Sequence, residues 1–191
     1  MKHVYLRSCL ALLCATSLAA CGGSSGSLIV KGKITGLTKT GLVLTNNGGP
    51  DLAIAAGATS FSFPQLIDTD ANFDVQIKTQ PTGAVCTMVA GTNTGKASFN
   101  INSVQVACIT NAYSLGGSVT GRSAGLVLVN APDKLNITEN GAFVFGAKVA
   151  DGAPYVVTIF TAPSSGSQCS IANGEGRMGT ADINNVAVTC P

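Results

Sequence analysis

The hydrophobic pattern of this chain has a period of two. Phe61-Ser62-Phe63, Phe73-Asp74-Val75-Gln76-Ile77, Val104-Gln105-Val106-Ala107-Cys108 and Val186-Ala187-Val188-Thr189-Cys190 alternate large apolar with polar or small side chains. Successive side chains on a strand point to opposite faces, so each stretch reads as a half-buried β-strand. Phe143-Val144-Phe145 sets two rings on one face in the same way. Asn46-Asn47-Gly48-Gly49-Pro50, Asn140-Gly141 and Asp151-Gly152 supply turn residues that tolerate positive φ. Beyond residue 20 no stretch sustains a period of 3.6. Many short strands with Gly-rich turns predict an all-β chain folded into β-sandwiches.

The pattern occurs twice. Gly41-Leu42-Val43-Leu44, Phe61-Ser62-Phe63, Phe73, Pro81, Cys86 and Cys108 are followed 82 to 84 residues later by Gly125-Leu126-Val127-Leu128, Phe143-Val144-Phe145, Tyr155, Pro163, Cys169 and Cys190. Gly32-Lys33-Ile34-Thr35-Gly36 matches Gly117-Ser118-Val119-Thr120-Gly121. The repeats are expected over residues 28–110 and 112–191, with almost no linker at 109–113 and hence a restricted relative orientation.

The first twenty residues read as an export signal, residues 1–20. Lys2 and Arg7 precede a short apolar run from Leu10 to Ala15, too short to span a bilayer. Leu18-Ala19-Ala20-Cys21 follows, then Gly22-Gly23-Ser24-Ser25-Gly26-Ser27. This segment resembles the lipobox of bacterial lipoproteins. The resemblance implies cleavage before Cys21, lipidation of Cys21 with palmitate-like acyl chains, and a flexible tether over 21–27. Gly22, by the same resemblance, permits sorting to the outer membrane. The partner implied is a membrane, held through the N-terminal lipid.

Loss of the leader changes the charge. The precursor carries 11 basic and 9 acidic side chains; without Lys2 and Arg7 the numbers are equal. A neutral chain with no basic stripe gives no electrostatic reason to bind nucleic acid. Of 7 cysteines, Cys9 and Cys14 leave with the signal and Cys21 is the expected lipid carrier. Four remain, two per repeat, in an oxidising compartment, which is a disulfide pattern. Four cysteines allow three pairings, and the repeat favours the one internal to each copy, Cys86 with Cys108 and Cys169 with Cys190. Each pair flanks a Gly-containing segment able to fold as a long hairpin.

The repeats also resemble tandem Cys-containing modules in secreted proteins and lipoproteins of bacteria. The pattern runs Gly-Leu-Val-Leu, Asn-Asn-Gly, Phe-x-Phe, Tyr-x-Val, Pro, Cys, then Val-x-Val-x-Cys; the second repeat has Asn130-Ala131-Pro132 in place of Asn46-Asn47-Gly48, and the first has Phe73 in place of Tyr155. The order is similar to that of the prealbumin-like modules of bacterial surface proteins. The expected fold class is therefore all-β: two tandem immunoglobulin-like/prealbumin-like β-sandwiches, each with one disulfide, after a signal peptide.

Candidate chemistry is sparse. Asp68, Asp70, Asn72 and Asp74 alternate as in the start of a calcium loop, but Phe73 stands where the sharp turn needs Gly and Thr79 where the bidentate Glu belongs. A solvated acidic turn is the favoured reading, and no cofactor is expected. Gly174-Glu175-Gly176-Arg177-Met178-Gly179 spells a dinucleotide fingerprint, which needs a following helix; the β pattern after it argues for a turn or hairpin instead. Gly91 to Ala97 resembles a phosphate loop but is one residue short and lacks the Ser/Thr for magnesium. Gly22-Gly23-Ser24-Ser25-Gly26 spells a nucleophile elbow, but the only His, His3, lies in the leader. These features point away from an enzyme. They favour a lipid-anchored envelope protein, a surface or periplasmic binding or adhesion module for a protein or glycan partner. The alternative is a structural or accessory subunit of an outer-membrane assembly.

Overall fold

The computed structural model describes residues 26–121 and 123–191. Residues 1–25, and with them the expected leader and Cys21, lie outside the described residues, as does Arg122.

The first half contains strands β1 (Val30–Thr35), β2 (Leu42–Asn46), β3 (Leu52–Ile54), β4 (Ser60–Ser62), β5 (Asn72–Thr79), β6 (Ala84–Met88), β7 (Thr94–Lys96) and β8 (Ile101–Thr110). They form two four-stranded sheets, ordered β4-β1-β8-β6 and β3-β2-β5-β7. The second half contains β9 (Ala112–Tyr113), β10 (Leu115–Gly121), β11 (Val127–Asn130), β12 (Asp133–Asn136), β13 (Gly141–Val144), β14 (Val149–Ala150), β15 (Pro154–Thr161), β16 (Ser170–Ala172), β17 (Glu175–Arg177) and β18 (Ile183–Cys190). Its main sheets, β13-β10-β18-β16 and β12-β11-β15-β17, repeat the first order strand for strand. The chain is two tandem β-sandwiches of the immunoglobulin-like/prealbumin-like class. In an immunoglobulin constant domain the first strand shares its sheet with the second and fifth. Here it lies between the fourth and the last, running parallel to the last, on the prealbumin-like side of that class.

Alternation builds both cores. In β1, Val30, Gly32 and Ile34 face inward while Lys31, Lys33 and Thr35 face solvent. Each sandwich has its own apolar cluster, drawn from residues 30–108 in one and 115–190 in the other. The Phe-x-Phe pairs are buried, with ring centroids 5.7 Å apart for Phe61 and Phe63 and 5.9 Å for Phe143 and Phe145, edge to face. Gly32 and Gly117 fill a need of this topology. A Cβ on either would collide with the carbonyl oxygen of Val104 or Val186 on the parallel partner strand.

Cys86 is bonded to Cys108 and Cys169 to Cys190. Cys86 and Cys108 are directly opposed on β6 and β8. The segment between them is not one long hairpin, as the sequence suggests. β7 leaves the sheet of β6 and β8 and pairs with β5 in the opposite sheet, as β17 does with β15. The reason is the core: Phe73 and Tyr155 are buried beneath that edge and need a strand to cover them.

The two sandwiches meet through hydrogen bonds rather than a shared apolar core. At the start of the second sandwich β9 pairs antiparallel with β14 of the same unit, and the residue just before β9, Asn111, reaches the first. The Asn111 N–H donates to the Gly83 carbonyl (2.9 Å), and the Asp151 N–H donates to the Asn111 carbonyl (2.8 Å). The Lys39 ammonium, from the loop between β1 and β2, donates to the Asp151 carbonyl oxygen (2.9 Å) and to Asp151 Oδ1. Both side chains are largely buried, with 21% and 11% of their surface exposed.

Candidate functional site

The acidic run at 68–74 does not converge. Asp68 and Asp70 form the turn into β5, with the Ala71 N–H donating to the Asp68 carbonyl and the Asp70 N–H to the Ala97 carbonyl. Asp70 is left-handed (φ 63°), and its carboxylate lies 3.7 Å from the Lys96 ammonium on the protein surface. Asn72 accepts on its backbone oxygen from Asn47 Nδ2 (2.9 Å). The Asp74 carboxylate accepts from Gln76 Nε2 (2.7 Å). Among the described residues no group of three or more His, Cys, Asp or Glu side chains is placed to hold a metal ion.

The glycine-rich motif of the second repeat serves packing. Residues 175–177 of the G-x-G-x-x-G run are strand β17, and no helix follows. Tyr155 is directly opposite Gly176, and its ring covers the glycine; a Cβ there would press against the ring at 2.9–3.1 Å. Phe73 covers Gly95 in the first repeat in the same way. Each glycine is the position that admits an aromatic ring at the sheet edge. Lys96 of the loop that resembles a phosphate-binding one lies on β7, a strand, and is exposed.

What separates the repeats is a surface. The outer face of the sheet β12-β11-β15-β17 carries Val127, Val129, Val156 and Phe160, with Val156 51% and Phe160 58% exposed. Their neighbours along β15, Tyr155, Val157 and Ile159, face the core. Phe160 is the extra residue of a β-bulge, since Leu128 pairs with Ile159 and Val127 with Thr161. The bulge aims its ring outward, where the Lys134 ammonium sits 3.4 Å from the ring centroid. The first repeat has the same bulge, with Lys78 as the extra residue. There the Lys78 ammonium meets the Asp51 carboxylate at 2.7 and 2.9 Å. The same backbone thus carries an ion pair in one copy and a cation–π pair in the other. Thr45 and Asp74 of the first copy stand where the second has Val129 and Val156. The alternation that turns Tyr155, Val157 and Ile159 inward leaves Phe160 on the opposite face, and the signal for it in the sequence is its equivalence to Lys78 of the first repeat.

A second surface feature, a groove of about 650 Å³, lies between β1 and β4, lined by Lys31, Gly32, Lys33, Ser60, Ser62 and Asn102 among others.

No family model matches this chain. No curated protein matches it. Among solved structures the chain is similar to a C-terminal fragment of the pilus adhesin SpaC from Lactobacillus rhamnosus GG, at 11% identity and a TM-score of 0.36, covering 85% of this chain and 96% of that one. A likeness of that size carries no conclusion about function.

Proposed function

We propose that the protein is a lipid-anchored module of the bacterial cell envelope, fixed to the outer membrane through Cys21, whose sandwiches bind a macromolecular partner. The observation that carries the binding reading is the outer face of β15. Four apolar side chains share a solvent-facing sheet surface, two of them more than half exposed. The fold does not require three of them, because the positions of Val129, Val156 and Phe160 are Thr45, Asp74 and Lys78 in the first repeat, while Val127 keeps its valine as Val43. Exposed apolar faces rimmed by polar groups mark contact sites, and an aromatic residue in such a face is a common energetic anchor. The anchor reading is supported by the Leu18-Ala19-Ala20-Cys21 motif and the Gly/Ser run behind it.

Site-specific photo-crosslinking in cells tests the binding reading. A photoreactive residue at position 160 should give a discrete high-mass adduct, and one at the equivalent position 78 should not. Equal adduct patterns at both, or none at 160, refute the assignment of this face. Protease shaving of intact against lysed cells then separates a surface adhesin from a periplasmic accessory subunit. Labelling with a palmitate analogue, lost on Cys21→Ser, tests the anchor.

A further inference from the structure

We propose that the outer face of β1 and β4 is a docking surface for the phosphates of anionic lipid headgroups in the membrane that holds the anchor. The proposal rests on the anchor reading above.

Lys31 and Lys33 point the same way from β1, roughly 7 Å apart as alternate residues on a strand. Ser62 and Ser60 stand directly opposite them on β4. On the other side of β1 a β-bulge places Asn102 and Ser103 across from Lys31, between the pairs Val30↔Ile101 and Gly32↔Val104. Asn102 thereby lines the same groove. Two ammonium groups, two hydroxyls and an amide thus line one groove, each able to donate to a phosphate. Among the described residues, neither Lys31 nor Lys33 has an ion-pair or hydrogen-bond partner. Lys39, Lys78 and Lys96 each meet a carboxylate and Lys134 lies over Phe160; Lys148 is likewise without a side-chain partner among the described residues but stands alone, whereas Lys31 and Lys33 share one face of β1.

The fold explains Gly32 but not the lysines on either side of it. The second sandwich keeps the glycine as Gly117 and the bulge beside it, and flanks it with Gly116 and Ser118. The charge is therefore confined to the copy next to the anchor. Lys31 lies ten residues beyond Cys21. Leu28 is already fixed by an antiparallel bridge to Ile67, and even fully extended the seven residues from Cys21 to Leu28 reach at most about 25 Å, so the groove stays close to the headgroups. A lysine near an anionic surface shifts the balance about fivefold, two of them about 30-fold. That is weak for a free protein and sufficient for a tethered one, because the tether keeps the effective headgroup concentration high. A sugar is a poorer fit, because the one ring in the groove, Phe61, is buried and offers no stacking surface.

The test uses the lipidated protein reconstituted into vesicles of phosphatidylcholine alone or with about 30% phosphatidylglycerol, a composition that makes the surface anionic. A membrane-impermeant acylating reagent labels exposed amines, and peptide mass spectrometry reads the rate at each lysine. The expected result is slowing at Lys31 and Lys33 by about threefold or more in anionic vesicles, with Lys78 and Lys148 unchanged, and loss of the effect near ~0.5 M salt. Equal rates in the two vesicle types, or equal slowing at all lysines, overturn the proposal. So does equal protection by inorganic phosphate without vesicles, which would make the groove a site for free anions. Failure of the protein to float with either vesicle refutes the anchor, and the proposal falls with it. Flotation without protection refutes the headgroup surface alone.

Discussion

Lys39→Met removes the one charged cross-link at the junction among the described residues and leaves its partner in place. In the native protein the Lys39 ammonium contacts Asp151 Oδ1 and the Asp151 carbonyl oxygen. Asp151 Oδ2 is buried and has no hydrogen-bond partner, so that carboxylate depends on Lys39 for compensation. Removing one partner of a fully buried pair costs about 3–5 kcal/mol, and an exposed pair is worth about 0–1 kcal/mol. With side-chain exposures of 21% and 11% the pair lies between these limits but nearer the buried one. The expected loss is about 2–3 kcal/mol. Because each sandwich has its own core, the loss should appear as uncoupling. Calorimetry of the wild type should show strongly overlapping transitions. In Lys39→Met the transition carrying the junction should fall by on the order of 10 °C. Lys39→Met combined with Asp151→Asn should recover most of the loss, since the uncompensated charge is then gone. If both variants unfold within ~0.5 kcal/mol of the wild type, as surface substitutions do, the pair does not hold the junction.

Four further outcomes follow from the same geometry. Gly83 has φ +76° and a Cβ there would collide with the Asp151 carboxylate, whereas Gly48 (φ +65°) faces open space. Gly83→Ala should therefore cost more than Gly48→Ala, by about 1 kcal/mol or more over the ~1 kcal/mol of left-handed strain alone, as read by urea unfolding. Replacing Cys86 and Cys108 by Ala should lower the first sandwich alone by about 3 kcal/mol, the chain-entropy value for a loop with their separation of 22 residues. Gly176→Val should cost about 1–3 kcal/mol by forcing the Tyr155 ring off β17, and addition of a nicotinamide dinucleotide should leave the melting temperature of the wild type unchanged. Phe160→Lys with Lys134→Asp should transplant the ion pair of the first repeat, keep stability within about 1 kcal/mol, and abolish binding through the β15 face in a co-purification assay.

Much of this protein is local and therefore visible in its residues. Alternation in Phe73 to Ile77 and Val104 to Cys108 marks strands because side-chain direction on a strand depends only on parity. The repeat isolates one disulfide per copy, because each pair of cysteines recurs at matching positions. The Gly-x-Gly-x-x-Gly run carries strand β17 with no helix behind it, but the purpose of its glycines could not be read from the sequence. The contact between Gly176 and Tyr155 is made across strands, by residues more than twenty positions apart. The crossing of β7 to the opposite sheet was invisible for the same reason. A hairpin is the local solution between Cys86 and Cys108, and only the need to cover Phe73 overrides it.

The chain's composition and periodicity, by themselves, determined an all-β protein in two similar units, since these depend on side-chain chemistry and spacing along the chain. Tertiary structure alone decided which outward positions share a surface. Val156 and Phe160 on β15 join Val127 and Val129 on β11 only through the register and bulge of that pair. Lys31 and Lys33 acquire Ser62, Ser60 and Asn102 only because β1 lies between β4 and β8. Lys39 finds Asp151 across 112 residues of chain. A strand's sequence states which side chains face outward, but not which strand will be its neighbour, and a binding surface is made of neighbours.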